Sequence, residues 1–77
     1  MPRSRATSPT TTEFGRRVRQ RREQLGLSQM SVAERAQMHF TFVSDIERNV
    51  RNPSLLTMTK LAKAFDTDLG ELVAQLP

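Results

Sequence analysis

Short stretches of helical periodicity follow one another along most of the chain, and they constrain its fold more than any other feature. Within each stretch apolar residues recur at the spacing of one helix face, and a few polar or turn-forming residues separate one stretch from the next. The strict apolar–polar alternation that indicates strands is absent from the sequence. The pattern predicts an all-α domain of five helices with short connections.

The first helix is predicted to start at Thr12, which serves as its N-cap, and to bury the stripe Phe14, Val18 and Leu25. Gly26 then supplies the left-handed residue that ends many helices. Arginines crowd the other face of this helix, and their mutual repulsion is a cost that a bound polyanion would relieve; they are Arg16, Arg17, Arg19, Arg21 and Arg22.

Two short helices come next, joined by only three residues. Ser28 caps the second helix, Gln29–Ala36, and Gln37-Met38-His39 leads into a third helix over about Phe40–Arg48. The inward residues are predicted to be Val32, Ala33, Ala36, Val43 and Ile46. Such proportions are those of a helix-turn-helix.

Two further helices complete the chain after a polar loop. Ser54 caps the fourth helix, whose periodic residues are Leu55, Met58, Leu61, Ala62 and Phe65. Asp68 followed by Glu71 imitates a capping box for the fifth helix. The apolar stripe of that helix is Leu69, Leu72, Val73 and Leu76.

Residues 1–11 are predicted to be a flexible basic tail, because they contain almost nothing apolar to bury; residues 12–77 then form the single domain. Two readings of this tail stay open. It is an inert terminus, or it is an arm whose Arg3 and Arg5 reach a DNA groove or phosphates.

The amino-acid composition narrows the classes of function that the chain could have. Twelve basic residues, ten of them arginine, oppose eight acidic ones, so a polyanion is the expected partner, with nucleic acid ahead of an anionic membrane surface. The chain has no cysteine, one histidine and no apolar run long enough to span a membrane. We therefore expect a cytoplasmic protein that is not an enzyme and has no cofactor, metal site or evident small-molecule ligand.

Several short runs match one known family in register and without a gap. They are Gly26-Leu27-Ser28-Gln29, Ala33, Ile46-Glu47-Arg48 and Arg51-Asn52-Pro53-Ser54-Leu55. From Phe14 to Val73 the chain resembles the helix-turn-helix regulators of the lambda and 434 repressor (XRE) type. It looks most like small stand-alone regulators such as the controller proteins of restriction–modification systems. The resemblance implies a homodimeric, sequence-specific regulator of transcription on two-fold related double-stranded DNA, with the third helix in the major groove.

The residues expected at the DNA follow from that placement. Base contacts are assigned to Gln29, Phe40, Thr41, Ser44 and Asp45, and phosphate contacts to Arg22, His39, Arg48, Arg51 and Asn52. For Gln29 the alternative is a solvated polar residue. Asp45 either accepts from cytosine or forms a salt bridge with Arg48 or Arg51, and the salt bridge is favoured.

Three positions depart from the family pattern. Phe40 stands where a polar base reader is frequent, so its ring either packs on a thymine methyl or folds back as a surface hydrophobe. His39 replaces a common serine cap, and Gln37 replaces a glycine in a turn where a left-handed residue is costly.

Two structural roles are also assigned. The resemblance implies an ion pair between Arg22 of the first helix and Glu47 of the third. Leu69, Val73 and Leu76 are predicted to form the dimer interface, shared with the monomer core. The alternative to a DNA-binding regulator is a protein-binding module, for instance an antitoxin whose toxin partner covers one face.

Overall fold

The computed structural model describes residues 8–77, and within that range all regular structure is helical. The five helices are α1 Pro9–Gln24, α2 Gln29–Ala36, α3 Phe40–Glu47, α4 Leu55–Ala64 and α5 Leu69–Val73. Helix α2 packs on α3 and α4, whereas α1 packs on α3 and α5. The predicted all-α, five-helix fold is confirmed.

Every helix contributes to one apolar core. Its largest fully buried side chains are Phe65, Ile46, Leu61, Val18, Val32 and Val43. Each such side chain stabilises the fold by about 1.5–3 kcal/mol relative to its exposed state. All five inward residues predicted for α2 and α3 are buried.

Two leucines that fit the helical periodicity are nevertheless exposed. Leu25 is 43% exposed and Leu55 is 66% exposed, so these two members of the predicted apolar stripes lie outside the core. Leu25 is the C-cap of α1 and Leu55 is the first residue of α4. At these helix ends the periodic stripe runs past the helices that would cover it.

Helix α1 begins one turn earlier than predicted. Ser8 is the N-cap: its Oγ accepts from the Thr11 backbone N–H at 3.1 Å, and Thr11 Oγ1 accepts from the Ser8 N–H at 3.2 Å. Pro9 occupies the first helical position, where no N–H is needed. Thr12 is therefore inside the helix, and residues 8–11 belong to the domain. The tail prediction for residues 1–7 lies outside the described residues.

The other helix ends combine confirmed and incorrect predictions. Ser28 and Ser54 cap α2 and α4 through their side chains, and Gly26 is left-handed with φ +69°. Asp68 is the N-cap of α5 without a side-chain hydrogen bond, and Glu71 Oε1 instead accepts from Thr67 Oγ1 at 2.7 Å. The predicted Asp68–Glu71 capping box is thus wrong, because Thr67 captures the carboxylate.

A close approach between helices positions α3. A Cβ added to Gly15 of α1 would overlap the carbonyl oxygen of Ile46 near the end of α3. Only glycine allows the two backbones this separation. The sequence position of Gly15 therefore sets how deeply α3 seats against α1.

Candidate nucleic-acid interface

Helices α2 and α3 form the predicted bihelical unit. Gln37 has φ 56°, the left-handed conformation expected of the turn, at a cost on the order of 1 kcal/mol for a non-glycine residue. The Met38 N–H donates to Ala33 O at 2.9 Å and closes the turn. His39 then caps α3, since its Nδ1 accepts from the Thr41 N–H at 3.2 Å. The turn delivers the start of α3 to the surface.

The start of α3 carries exposed side chains that can meet a groove. Val43 and Ile46 are buried, whereas Phe40 and Thr41 are exposed and Ser44 is half-buried. The Phe40 ring stacks on the His39 ring with centroids 5.3 Å apart, and it is 41% exposed. The Phe40 ring therefore presents apolar surface to solvent at the start of α3.

Thr41 shares a hydrogen bond with the cap of its own helix. Its Oγ1 lies 2.9 Å from His39 Nδ1, and because that nitrogen already accepts from the Thr41 N–H, the hydroxyl is the donor. A hydroxyl both donates and accepts, so this bond leaves Thr41 hydrogen-bonding capacity for a base edge. Its methyl group stays available for apolar contact.

Asp45 is held between two guanidinium groups. Its carboxylate oxygens lie 2.7 Å from Arg48 and 3.2 Å from Arg51. The hydrogen bond from Arg48, helped by that from Arg51, lowers the pKa of Asp45. The ion-pair alternative for this residue is present in the structure, and the carboxylate holds two cations beside α3.

Arg51 has a second contact that the sequence did not indicate. Its guanidinium carbon lies 4.3 Å from the ring centroid of Phe42, within the range of a cation–π interaction. Phe42 was not singled out from the sequence, because an aromatic residue beside the recognition face carries no periodic signal. Arg51 is thereby fixed by both Asp45 and Phe42, whereas the Arg48 side chain is 64% exposed.

Glu47 is the centre of the link between α1, α2 and α3. Arg22 Nε and one terminal nitrogen donate to its two oxygens at 2.7 and 3.0 Å, and the other terminal nitrogen donates to Leu27 O at 3.0 Å. The Nε2 of Gln29 also donates to Glu47, at 3.2 Å. This bond holds the Gln29 amide beside the C-terminal end of α3.

With its guanidinium committed in this way, Arg22 has a structural role. The Arg22 side chain is only 15% exposed, and the hydrogen bond to Glu47 raises its pKa. The structure contains the ion pair that the resemblance implies and leaves little of Arg22 for the phosphate contact predicted for it.

Three of the five arginines of α1 pair with acidic residues of the same helix. Arg16 and Arg17 both bind Glu13 at 2.9 Å, and Arg19 binds Glu23 at 3.1 Å. These pairs reduce the expected repulsion, although the five arginines still outnumber the two glutamates of α1. The cations that remain available beside α3 are Arg48 and Arg51.

No helix within residues 8–77 is long and apolar enough to cross a membrane, and the same range contains no cluster of three potential metal-binding side chains. The fold and the exposed start of α3 define a helix-turn-helix DNA-binding domain.

Comparison with known proteins places the chain within a family. The helix-turn-helix family model matches residues 18–72, and the chain belongs to this family of repressor-type (XRE) regulators that bind DNA. It is 39% identical to control protein C.BamHI of Bacillus amyloliquefaciens, over 78% of this chain and 75% of that protein. The predicted resemblance to controller proteins is confirmed.

Two solved structures have the same fold. The restriction–modification controller protein C.AhdI of Aeromonas hydrophila matches with a TM-score of 0.78 and 39% identity, over 80% of this chain and 94% of that one. SinR, a master regulator for biofilm formation solved in complex with DNA, matches with a TM-score of 0.72 and 33% identity, over 77% and 95%.

Proposed function

We propose that the protein is a homodimeric, sequence-specific regulator of transcription without enzymatic activity. Each subunit places the start of α3 in the major groove of one half of a two-fold related operator. The observation that carries this proposal is the exposed pair Phe40 and Thr41 at the start of α3, on a helix whose Asp45 holds the guanidinium groups of Arg48 and Arg51. The major groove of B-DNA is about 12 Å wide and admits a helix.

The proposed DNA contacts fall into two groups, those to base edges and those to phosphates. Thr41 and Ser44 read base edges through their hydroxyl groups, Phe40 packs on a thymine methyl, and Gln29 is held in place by Glu47. Arg48, Arg51, Asn52 and His39 bind phosphates, which position the protein without reading sequence. Asp45 organises Arg48 and Arg51, and Arg22 is assigned only its pair with Glu47.

Dimerisation doubles the site, because one helix-turn-helix unit contacts few bases. Two-fold related half-sites then lie about 34 Å apart, one turn of the duplex. The proposed interface is formed by Leu69, Val73 and Leu76, which are partly buried and pack against the core. Their remaining apolar surface is available to a second copy.

A second apolar surface lies at the start of α4, where Leu55 and Leu56 are 66% and 64% exposed. Exposed apolar patches mark interaction sites, so this surface supports the alternative that a partner protein or the second subunit binds here. Sizing of Leu76→Glu beside Leu56→Glu separates these cases. Loss of the dimer in Leu76→Glu alone supports the α5 interface, whereas its loss in Leu56→Glu alone places the interface at α4.

The DNA-binding proposal is tested by selecting binding sites from random duplexes, with sizing of the complex. We expect a two-fold symmetric site bound by two subunits. Ser44→Ala should change the base preference at one position in each half-site. Arg48→Ala should weaken all sequences alike and flatten the log–log salt dependence by about 0.9 for each phosphate that the variant no longer neutralises.

Arg48 is chosen for this comparison because Arg51 also stacks on Phe42, and Ser44 because Thr41 also contacts the cap of α3. If Ser44→Ala and Arg48→Ala change binding in the same way, the division between base and phosphate contacts is wrong. Binding that ignores sequence at every salt concentration would contradict the proposal as a whole.

A further inference from the structure

A groove of about 170 Å³ lies between α1 on one side and α5 with the preceding Thr67 on the other. Its lining is Arg17, Gln20, Arg21, Gln24, Thr67, Glu71 and Leu72. This volume is below the range of roughly 300–1,000 Å³ typical for drug-sized ligands, so it suits a small molecule or ion. No sequence pattern indicated a ligand pocket, because its two walls are more than forty residues apart in the chain.

Hydrogen-bond donors outnumber acceptors in this groove. Arg17 is held by Glu13 and by the carbonyl oxygen of Leu72, at 2.9 and 3.2 Å. Gln20 accepts from Arg16 at 3.3 Å through Oε1, and its amide N–H₂ remains a donor. The one carboxylate in the lining, Glu71, already accepts from Thr67.

Arg21 differs from every other arginine in residues 8–77. Each of the others donates to a carboxylate or to a backbone carbonyl, whereas the side chain of Arg21 makes no hydrogen bond or ion pair. Its Nε is buried without a protein partner. A buried donor left unpaired is costly, and a guanidinium fork matches the oxygens of a carboxylate or phosphate.

The groove and the DNA-binding face lie on different sides of α1. Gly15 and Arg22 contact α3, at Ile46 and Glu47, whereas Arg17 contacts α5 at Leu72. An anion in the groove would therefore touch α1 and α5 without competing for the recognition helix. The donor excess belongs to a site separate from the phosphate contacts beside α3.

We propose that this groove is a binding site for a small oxyanion of the phosphate or carboxylate class, held by the Arg21 guanidinium with amide donors from Gln20 and Gln24. The bound anion bridges α1 to α5 and to the segment before it. The proposal stands independently of which DNA sequence the protein reads.

The test is an NMR titration of the full chain with inorganic phosphate, and separately with succinate, at constant ionic strength in chloride. We expect saturable shifts of the Arg21 Nε–H signal and of the Thr67 and Glu71 amides. Arg21→Gln should weaken the apparent affinity by about tenfold or more, because a charge-assisted hydrogen bond is removed. Saturation by only one probe identifies the ligand class.

The matched control is Arg19→Gln, which removes the same charge from α1 at a residue that binds Glu23 and lies outside the groove. Its affinity should stay within about twofold of the parent, since the interaction is a local contact. Arg21→Lys keeps the charge but replaces the planar guanidinium fork by a single ammonium group, and it should bind more weakly than the parent. The proposal is overturned if neither probe saturates these signals, if Arg19→Gln weakens binding as much as Arg21→Gln, or if Arg21→Lys binds like the parent.

Discussion

Glu47 of α3 accepts two hydrogen bonds from the guanidinium of Arg22 in α1, at 2.7 and 3.0 Å. The pair is enclosed between the helices, with the two side chains only 5% and 15% exposed. Its bidentate geometry fixes direction as well as distance. Helix α3 is thereby tied to α1 at its C-terminal end, whereas its N-terminal end carries the exposed Phe40 and Thr41.

Replacing Arg22 should destabilise the fold strongly. Arg22→Ala leaves the Glu47 carboxylate with only the Gln29 amide and frees the Leu27 carbonyl, so we expect a loss of about 3 kcal/mol in the free energy of unfolding. Urea denaturation measures it. The control Arg19→Ala breaks an exposed pair and should cost less than about 1 kcal/mol. Equal losses in the two variants would show that the Arg22–Glu47 pair contributes no more than a surface pair.

A pair of glycines tests the close approach of α1 and α3. Gly15→Ala forces its new Cβ against the Ile46 carbonyl and should destabilise the fold by about 2 kcal/mol or more. Gly70→Ala places the same atom in open space within helix α5 and should stabilise it by about 0.5–1 kcal/mol. Thermal unfolding of both variants measures the direction of each change in stability. If Gly15→Ala left the stability unchanged, α1 and α3 would be able to separate without cost.

The structural features that the sequence predicts correctly are those that local rules determine, namely helix ends and the burial of periodic residues. The α2 boundaries follow from the Ser28 cap and the left-handed Gln37, and burial of Val32 and Val43 follows from periodicity. The Arg22–Glu47 pair came from family resemblance, because no spacing rule links residues in different helices. The start of α1 was missed although Ser8-Pro9 is itself a helix-start signal.

The features that escaped prediction depend on how helices meet. Gln29 reaches Glu47 only because α2 and α3 cross at that point, and Arg51 stacks on Phe42 only because the loop after α3 folds back. The groove around Arg21 exists because α5 returns to α1. Periodicity in one helix contains no information on these contacts.

The ion pairs of Glu13 should stay intact at a pH well below the usual pKa of a glutamate side chain. Hydrogen bonds from Arg16 and then Arg17 lower the pKa of Glu13 to about 2, from 4.5. Because the folded pKa is lowered, the stability from this carboxylate is complete above pH 4.5 and is lost as the pH falls towards 2. A carbon-13 titration of the carboxyl group should show that midpoint.

The same titration in two variants identifies the cause. Arg16→Gln removes the strongest hydrogen bond and should move the Glu13 midpoint up towards 4.5, whereas Arg19→Gln should leave it near 2. A parent midpoint close to 4.5 would show that the Arg16 and Arg17 bonds do not persist in solution.

Asp45 has two possible roles on DNA: it holds Arg48 and Arg51, or it contacts a base. If Asp45 organises Arg48 and Arg51, then Asp45→Asn removes a negative charge near the phosphates and frees both cations. Binding to all sequences should tighten, with unchanged base preference and a salt dependence steeper by about 0.9 for each additional phosphate that the freed cations neutralise. If Asp45 instead accepts from cytosine, one base pair should lose roughly 1–3 kcal/mol of discrimination.

We expect the first outcome, because both carboxylate oxygens of Asp45 are already occupied by guanidinium groups. Affinities for the selected operator and for its single-base variants, measured across a salt series, separate the two cases. Asp68→Asn is the matched control, since it makes the same change in net charge at the N-cap of α5. Should Asp68→Asn tighten binding as much as Asp45→Asn, the effect belongs to net charge and the organising role is contradicted.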